Sequence, residues 1–291
     1  MVYSILSNVD SLHLVRVYTT YDPSGFDPLE RTTDTGIRGA VVRIAGPSGV
    51  HVFADTLVPR TGADRYTGDI PAYTSTFTVR GGDQLVLTVE DSLGRKATGS
   101  LRIPDPAAVL VQNAFLFQNP QSTAGDGIFI IARISAVAKG ILVRCFFEYD
   151  RTEGGTTVPS TEEIPQSMQV NSATGVARFS YPILVRRRSI ESTGSPGTEV
   201  VGFAREAYSR MLTELRLRHP FAALTPRRVR VLVIQTDIHL YNYYNIVNGF
   251  RDSHTIRTDL PDYTNIVGGL GVFGSFHTDS VFVPLPSSLI F

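Results

Sequence analysis

The sequence predicts a mainly all-β protein with two antiparallel β-sandwich units, and with one or two short helices in the C-terminal unit. Short segments alternate apolar and polar residues along most of the chain, a period of two that is typical of strands with one buried face. Turn-forming clusters such as Gly46-Pro47-Ser48-Gly49 and Asp91-Ser92-Leu93-Gly94 separate these segments at short spacing. We expect the first unit to resemble an immunoglobulin or transthyretin domain.

The N-terminal unit is expected to end at Asp105, because Pro104 and Pro106 cannot continue a strand ladder and favour extended backbone. This boundary divides the chain into an N-terminal sandwich, 1–105, and a C-terminal β-rich domain, 106–291. In the first domain, alternation predicts strands at 2–6, 12–18, 39–45, 49–54, 65–69, 84–90 and 95–103. A polar loop over 21–36 follows the second strand.

The C-terminal domain combines longer alternating segments with the clearest helical pattern of the chain. We predict strands at 108–117, 128–135, 141–149, 176–181 and 228–237, and exposed loops at 150–167 and 189–197. Apolar residues recur every three or four positions across 202–218, which predicts a helix that ends before His219 and Pro220. A second, short helix is expected over 240–250.

The charge balance and the cysteine content exclude several classes of function. The chain has 27 basic and 27 acidic side chains, so its net charge gives no electrostatic basis for binding nucleic acid. The basic runs at 186–188 and 227–228 lack an extended basic face, and we expect them to be solvated or to lie at a subunit contact. Cys145 is the only cysteine, which excludes a disulfide framework and a Cys-based zinc site, and its apolar strand predicts a buried side chain.

The sequence contains no pattern that predicts catalysis, a cofactor or a metal. Gly269-Leu270-Gly271-Val272-Phe273-Gly274 matches the dinucleotide fingerprint, but the strand-turn-helix context that phosphate binding requires is absent. We interpret these glycines as points where the backbone bends or packs closely. The six histidines are scattered without metal-ligand spacing. A hydrolase with an active site formed by the loops 21–36 and 150–167 stays open as an alternative, since distant residues can assemble a triad.

A tyrosine cluster is the first candidate for a ligand or partner contact. Tyr241, Tyr243 and Tyr244 alternate with asparagines, an arrangement that suits a stacking platform for sugars or other flat ligands. In the alternative interpretation these tyrosines anchor a short helix on the sheet, with their hydroxyl groups in water.

The apolar C-terminus is the second candidate. Leu289, Ile290 and Phe291 would be an adhesive liability if they were exposed. We therefore expect this tail to be held in place, either at the edge of its own sheet or by strand addition to a neighbouring protein.

The segment Asn265-Ile266-Val267-Gly268-Gly269-Leu270-Gly271-Val272-Phe273-Gly274 resembles the closing signature of a family of uncharacterised surface lipoproteins of Bacteroidota. The opening segment 3–17 and the Tyr-rich segment 236–244 are similar to the same family. The resemblance implies a place in the cell envelope, on the periplasmic or cell-surface face of the outer membrane, and a binding or assembly role. Members of this family are often encoded near TonB-dependent receptors. The resemblance implies no catalytic residues.

Family members carry an export signal and a lipidated cysteine, and residues 1–6 show neither. From the residues alone, either the protein stays inside the cell or its export signal is missing from the chain, and membrane attachment would require a lipid anchor that is not visible here. With the resemblance, we predict a non-catalytic accessory or binding subunit at the outer membrane, acting with a TonB-dependent receptor or a larger envelope complex. The alternative is a structural subunit of a cell-surface assembly or filament. We expect no cofactor.

Overall fold

The computed structural model describes residues 1–19, 36–60, 68–122, 124–125, 127–187, 197–248, 263–287 and 289. The elements, in chain order, are β1 (Val2–Ser7), β2 (Leu12–Val17), β3 (Val41–Gly46), β4 (Gly49–Val58), β5 (Ile70–Thr76), β6 (Gln84–Glu90), β7 (Lys96–Arg102), β8 (Ala108–Gln112), α1 (Phe115–Gln118), β9 (Gly127–Ile134), β10 (Gly140–Glu153), β11 (Thr156–Ile164), β12 (Ser167–Val170), β13 (Ala177–Ser180), β14 (Val185–Arg186), β15 (Gly197–Ala204), α2 (Arg205–Arg218), β16 (Ala223–Thr236), α3 (Ile238–Asn248), β17 (Ile266–Val267) and β18 (Gly271–Pro284). The mainly all-β fold with few helices is confirmed.

The chain forms two compact units. Unit 1 contains Met1–Asp105, Val137–Lys139 and Thr236–His277, and unit 2 contains Pro106–Ala136, Gly140–Gln235 and Thr278–Phe291. The first crossing between them falls between Asp105 and Pro106, but the chain later returns to unit 1 twice. We expected the glycine-rich segment 268–274 in the C-terminal unit; this prediction was wrong, because the segment belongs to unit 1 together with α3.

Unit 1 is a strand ladder with the neighbour order β18-β1-β2-β5-β4-β3-β6-β7-β17. Hairpin pairs such as β3–β4 and β6–β7 are antiparallel, as expected from their short turns. Strand β1 pairs with β18 in parallel, with Val2 opposite Gly271 and Ser7 opposite Phe276, so the ladder is mixed. Alternate residues of these strands point inward and form one apolar core, which includes Leu6, Val15, Val42, Ile44, Leu85, Leu87 and Phe273.

Unit 2 contains a sheet with the order β11-β10-β16-β18, a three-stranded sheet with the order β15-β9-β8, and the hairpin β12-β13. The predicted helix 202–218 is present as α2, but it begins at Arg205 because residues up to Ala204 pair with β9 in β15. Its apolar stripe, including Tyr208, Met211 and Leu215, is buried. The Tyr208 hydroxyl donates a hydrogen bond to the Phe117 carbonyl at 3.2 Å.

Two element predictions in the C-terminal domain 106–291 were wrong. The predicted loop 150–167 is an antiparallel hairpin, in which β10 continues to Glu153 and β11 starts at Thr156. Gly154 and Gly155 both have positive φ and form the two-residue turn of this hairpin. The segment was predicted as a loop because β11 is rich in Thr and Glu, and much of this strand is exposed. The predicted strand 108–117 ends at Gln112, where Asn113 adopts a positive φ and the short helix α1 follows.

Candidate functional site

The glycines of the C-terminal signature are required by the backbone of unit 1. Gly271 has a φ of +129°, and a Cβ atom there would lie 1.8 Å from the Val2 carbonyl oxygen. Gly268 has a φ of +81°, and a Cβ atom there would lie 2.3 Å from the Lys96 carbonyl oxygen. The segment is a turn followed by the strand β18, so the expected extended or turn conformation is confirmed and the dinucleotide interpretation has no helix to support it.

Asn265 has a similar structural role at the start of the signature. Its Nδ2 group donates to the carbonyl of Phe273 at 2.7 Å, and the Phe273 N–H donates to Asn265 Oδ1 at 2.9 Å. The amide side chain therefore forms hydrogen bonds with both backbone groups of Phe273, as the backbone of a neighbouring strand would. The signature residues fix the position of β18 beside β1, and Gly268, Gly269 and Leu270 also line a cavity of about 350 Å³ in unit 1.

The tyrosine cluster lies on α3, whose first turn is held by Asp237. The backbone N–H of Leu240 donates to Asp237 Oδ1 at 2.7 Å, which is the geometry of an N-cap, and the Ser275 hydroxyl donates to Asp237 Oδ2 at 3.0 Å. Burial raises the pKa of Asp237 to about 6, while these hydrogen bonds act in the opposite direction. Asp237 thus fixes the helix that carries the predicted contact residues.

The three tyrosines point in different directions from α3. Tyr241 is buried, Tyr243 is half-buried with its ring centroid 6.1 Å from that of Tyr3, and Tyr244 is exposed. The helix therefore spreads the three rings over its circumference and does not form one flat platform. In unit 2, Leu289 is buried, whereas Ile290 and Phe291 lie outside the described residues.

A cleft of about 390 Å³ in unit 1 lies beside the start of α3. Its walls include Val86 and Ser100 on one side and Asp237, Ile238 and His239 on the other. The Nδ1 atom of His239 is 2.6 Å from the Tyr263 hydroxyl, and burial lowers the pKa of His239. This histidine is consequently neutral at pH 7.

The outer face of strands β3, β4 and β6 adjoins this cleft and carries four exposed valines together with Arg43 and Glu90. Val41, Val50, Val52 and Val86 are between 44% and 63% exposed, and we call these four residues the valine face. Ala45 lies between Val50 and Val86 in the strand register, so this row is apolar across the three strands. Val52 lies opposite Arg43, and Val41 lies opposite Glu90. The alternation in the sequence does not predict this surface; its signal is that apolar residues occupy both sides of β3, with Val41 and Val42, and both sides of β4, with Val52 and Phe53.

A serine–histidine contact is a candidate catalytic group among the described residues. The Ser48 hydroxyl lies 2.9 Å from His51 Nε2 in the turn between β3 and β4, but the pair is exposed. The His51 ring stacks on Phe77, and among the described residues no carboxylate hydrogen-bonds to it. No group of three or more metal-ligating side chains occurs in the described part of the chain. The contacts of the described residues therefore give no evidence of catalysis.

Cys145 is buried, as predicted, and burial raises the pKa of its thiol. Within the described ranges, no helix is long and apolar enough to cross a membrane. The loop 21–36, which the hydrolase alternative requires, lies almost entirely outside the described residues, and its other element, 150–167, is the β10–β11 hairpin.

Comparisons with known proteins gave no match: no family model matches the chain, and neither the curated proteins nor the solved structures contain a significantly similar protein. The resemblance to Bacteroidota surface lipoproteins therefore stays a prediction.

Proposed function

We propose that this protein is a non-catalytic binding subunit of the cell envelope, and that the valine face contacts an outer-membrane partner such as a TonB-dependent receptor. The observation that carries the proposal is the row of exposed valines across β3, β4 and β6. Exposed apolar side chains on adjacent strands are typical of a protein interaction site. The resemblance of the 265–274 signature to surface lipoproteins supports the envelope as its location.

The energetics favour a covered valine face. Completing the burial of one half-exposed valine contributes on the order of 1 kcal/mol. Covering all four would contribute about 3–5 kcal/mol, before the entropy that association costs is subtracted. Because the valines lie on rigid paired strands, little conformational entropy is lost when a partner binds them.

The test is site-specific photocrosslinking in the cells that encode the protein. A photoreactive residue at position 52 is compared with one at Val170, which is 54% exposed on β12 of unit 2 and serves as the control. We expect position 52 to crosslink to an outer-membrane receptor and the protein to fractionate with the envelope. The crosslink should disappear in a Val50→Glu/Val86→Glu variant and persist in Val170→Glu.

Thermal melts of the purified variants separate loss of binding from loss of folding. Replacing an exposed valine by glutamate is expected to lower the free energy of unfolding by less than about 1 kcal/mol. A protein that fractionates with the cytoplasm contradicts the proposed location. Equal crosslinking from positions 52 and 170, or none from position 52, contradicts the role of the valine face.

A further inference from the structure

Two arginines of strand β16 lie side by side on the outer face of a sheet in unit 2. In Arg228-Val229-Arg230-Val231, the valines are fully buried, so the alternation places both arginines on the opposite face. We call Arg228 and Arg230 the arginine pair. Residues i and i+2 of a strand are about 6.5 Å apart, a spacing that lets two side chains reach one small ligand.

A single carboxylate fixes both guanidinium groups. Arg228 Nε donates to Glu148 Oε2 at 2.6 Å, and Arg230 Nε donates to Glu148 Oε1 at 2.7 Å. Both hydrogen bonds are charge-assisted and therefore strong. Glu148 thus holds the two guanidinium groups at a defined spacing.

Aromatic rings fix the planes of the same groups. The guanidinium carbon of Arg228 lies 4.1 Å from the centre of the Phe282 ring, and that of Arg230 lies 5.0 Å from the centre of the Phe146 ring. The side chains are ordered before any ligand arrives, so binding would cost little additional rotamer entropy.

The charges around the arginine pair leave one positive charge uncompensated. Burial acts to raise the pKa of Glu148, but the hydrogen bonds and charges of Arg228 and Arg230 lower it overall, so the carboxylate is ionised at neutral pH. One negative charge therefore faces two positive charges. On the neighbouring strands, Arg144 is matched by Glu163 through two hydrogen bonds of 2.8 and 2.6 Å, and this pair is balanced.

The remaining donors of the arginine pair face solvent. Each guanidinium uses only Nε for Glu148, and no described residue accepts a hydrogen bond from the Nη groups of Arg228 or Arg230. The two side chains are 42% and 32% exposed. Four Nη groups on two fixed planes are thus available to a ligand.

We infer that the arginine pair is a binding site for a phosphate group, with Nη atoms of both residues donating to one tetrahedral anion. One guanidinium can bind both oxygens of a planar carboxylate, as Arg144 does with Glu163, and the carboxylate of Glu148 already lies between Arg228 and Arg230. A phosphomonoester presents three oxygens in different directions and carries close to two negative charges, which suits two guanidiniums with one surplus charge. Both a soluble phosphorylated sugar and a phosphorylated lipid headgroup offer this chemistry.

The test is calorimetric titration of the full chain with inorganic phosphate and with glucose 6-phosphate. We expect saturable binding that weakens as salt rises, since charge contacts near the surface are screened. Arg228→Lys/Arg230→Lys keeps both charges and removes the planar donors, and it should weaken binding about tenfold. The triple variant Glu148→Gln/Arg228→Gln/Arg230→Gln removes the site without stranding a buried charge and should abolish binding.

Arg210→Gln is the matched control, because Arg210 is an exposed arginine of unit 2 that pairs with one carboxylate, Glu214, on α2. It should bind phosphate like the unaltered protein. Absence of saturable binding to the unaltered protein, equal binding by the double lysine variant, or an equal loss in Arg210→Gln would overturn the inference.

Vesicles distinguish the two sources of the phosphate. If vesicles with phosphatidic acid bind the protein, vesicles of phosphatidylcholine do not, and inorganic phosphate competes, the headgroup of a lipid is the ligand class. If inorganic phosphate and glucose 6-phosphate bind but neither kind of vesicle does, the ligand is soluble. Either result supports a phosphate site, and both are independent of the valine face.

Discussion

Asn265 is expected to be the most important side chain for the position of β18 in unit 1. It accepts a hydrogen bond from the Phe273 N–H and donates one to the Phe273 carbonyl, and Phe273 itself is fully buried. In an Asn265→Ala variant, both backbone groups lose their partner at once. We expect a folded protein with markedly lower stability.

The magnitude follows from the cost of unpaired polar groups. One buried donor or acceptor that loses its partner costs about 1–3 kcal/mol, so two would cost about 2–6 kcal/mol. Asn265 is half-buried, and water that replaces its side chain recovers part of this cost. We therefore expect a loss of about 2–4 kcal/mol, which corresponds to a decrease in Tm of about 5–15 °C for a domain of this size.

An Asn265→Asp variant separates the hydrogen bonds from simple packing. At neutral pH the carboxylate still accepts from the Phe273 N–H, but its second oxygen faces the Phe273 carbonyl and cannot donate. This repulsion raises the pKa of the carboxyl group in the folded state above its unfolded value. The lost stability should therefore return as the pH falls through the raised pKa, because the protonated acid can donate.

The assay is thermal denaturation at several pH values, with Asn245→Ala as the control, since Asn245 is an exposed residue of α3. Asn245→Ala should melt within about 2 °C of the unaltered protein. The reasoning would be refuted if Asn265→Ala melted equally close to it. It would also fail if the difference between Asn265→Asp and the unaltered protein did not shrink at low pH.

Three further outcomes are expected from unit 1 and from the buried thiol. Gly271→Ala should destabilise by several kcal/mol more than Gly49→Ala in thermal melts, because both glycines have positive φ but only Gly271 would place a Cβ atom against the Val2 carbonyl. Cys145 should resist a thiol reagent at pH 7 until denaturant is added, as followed by mass spectrometry, since burial raises its pKa. Asp237 has a folded pKa of about 6 against 3.8 unfolded, so stability should fall as the pH rises from 4 to 6, and Asp237→Asn should flatten this slope in urea titrations.

The local alternation predicted most strands of the chain, because inward residues such as Val42 and Ile44 recur at every second position. The alternation did not predict strands whose formation depends on the neighbouring strands of the sheet. Strand β5 (Ile70–Thr76) was not predicted, because the polar residues Thr74 and Ser75 and the partly polar Tyr73 interrupt the pattern of apolar residues. In the structure it pairs with β2 on one side and with β4 on the other. Strand pairing over long sequence distances, such as β1 with β18, leaves no local pattern.

The contact surfaces were less predictable than the strands. The tyrosines of α3 were chosen for their residue type, whereas their exposure depends on which side of the helix faces the core of unit 1. Valines on β3 and β4 read as core residues, because apolar side chains on both sides of a strand usually indicate burial on both faces. The sequence shows Arg228 as part of a basic run. Its pairing with Glu148 could not be predicted, because it requires β10 and β16 to be neighbours in the sheet.

Backbone geometry explains three residues of the segment 265–274. Gly268 and Gly271 allow no side chain because of adjacent carbonyl oxygens, and Asn265 is needed to pair with Phe273. A relative that kept this strand arrangement would have to keep these residues whatever it bound, so the signature identifies a fold and carries no information about a ligand. The valine face and the arginine pair consist of side chains that this strand arrangement does not require. Their outward positions can change without disturbing the inward residues of the same strands, so substitutions there are expected to alter binding and to leave the fold intact.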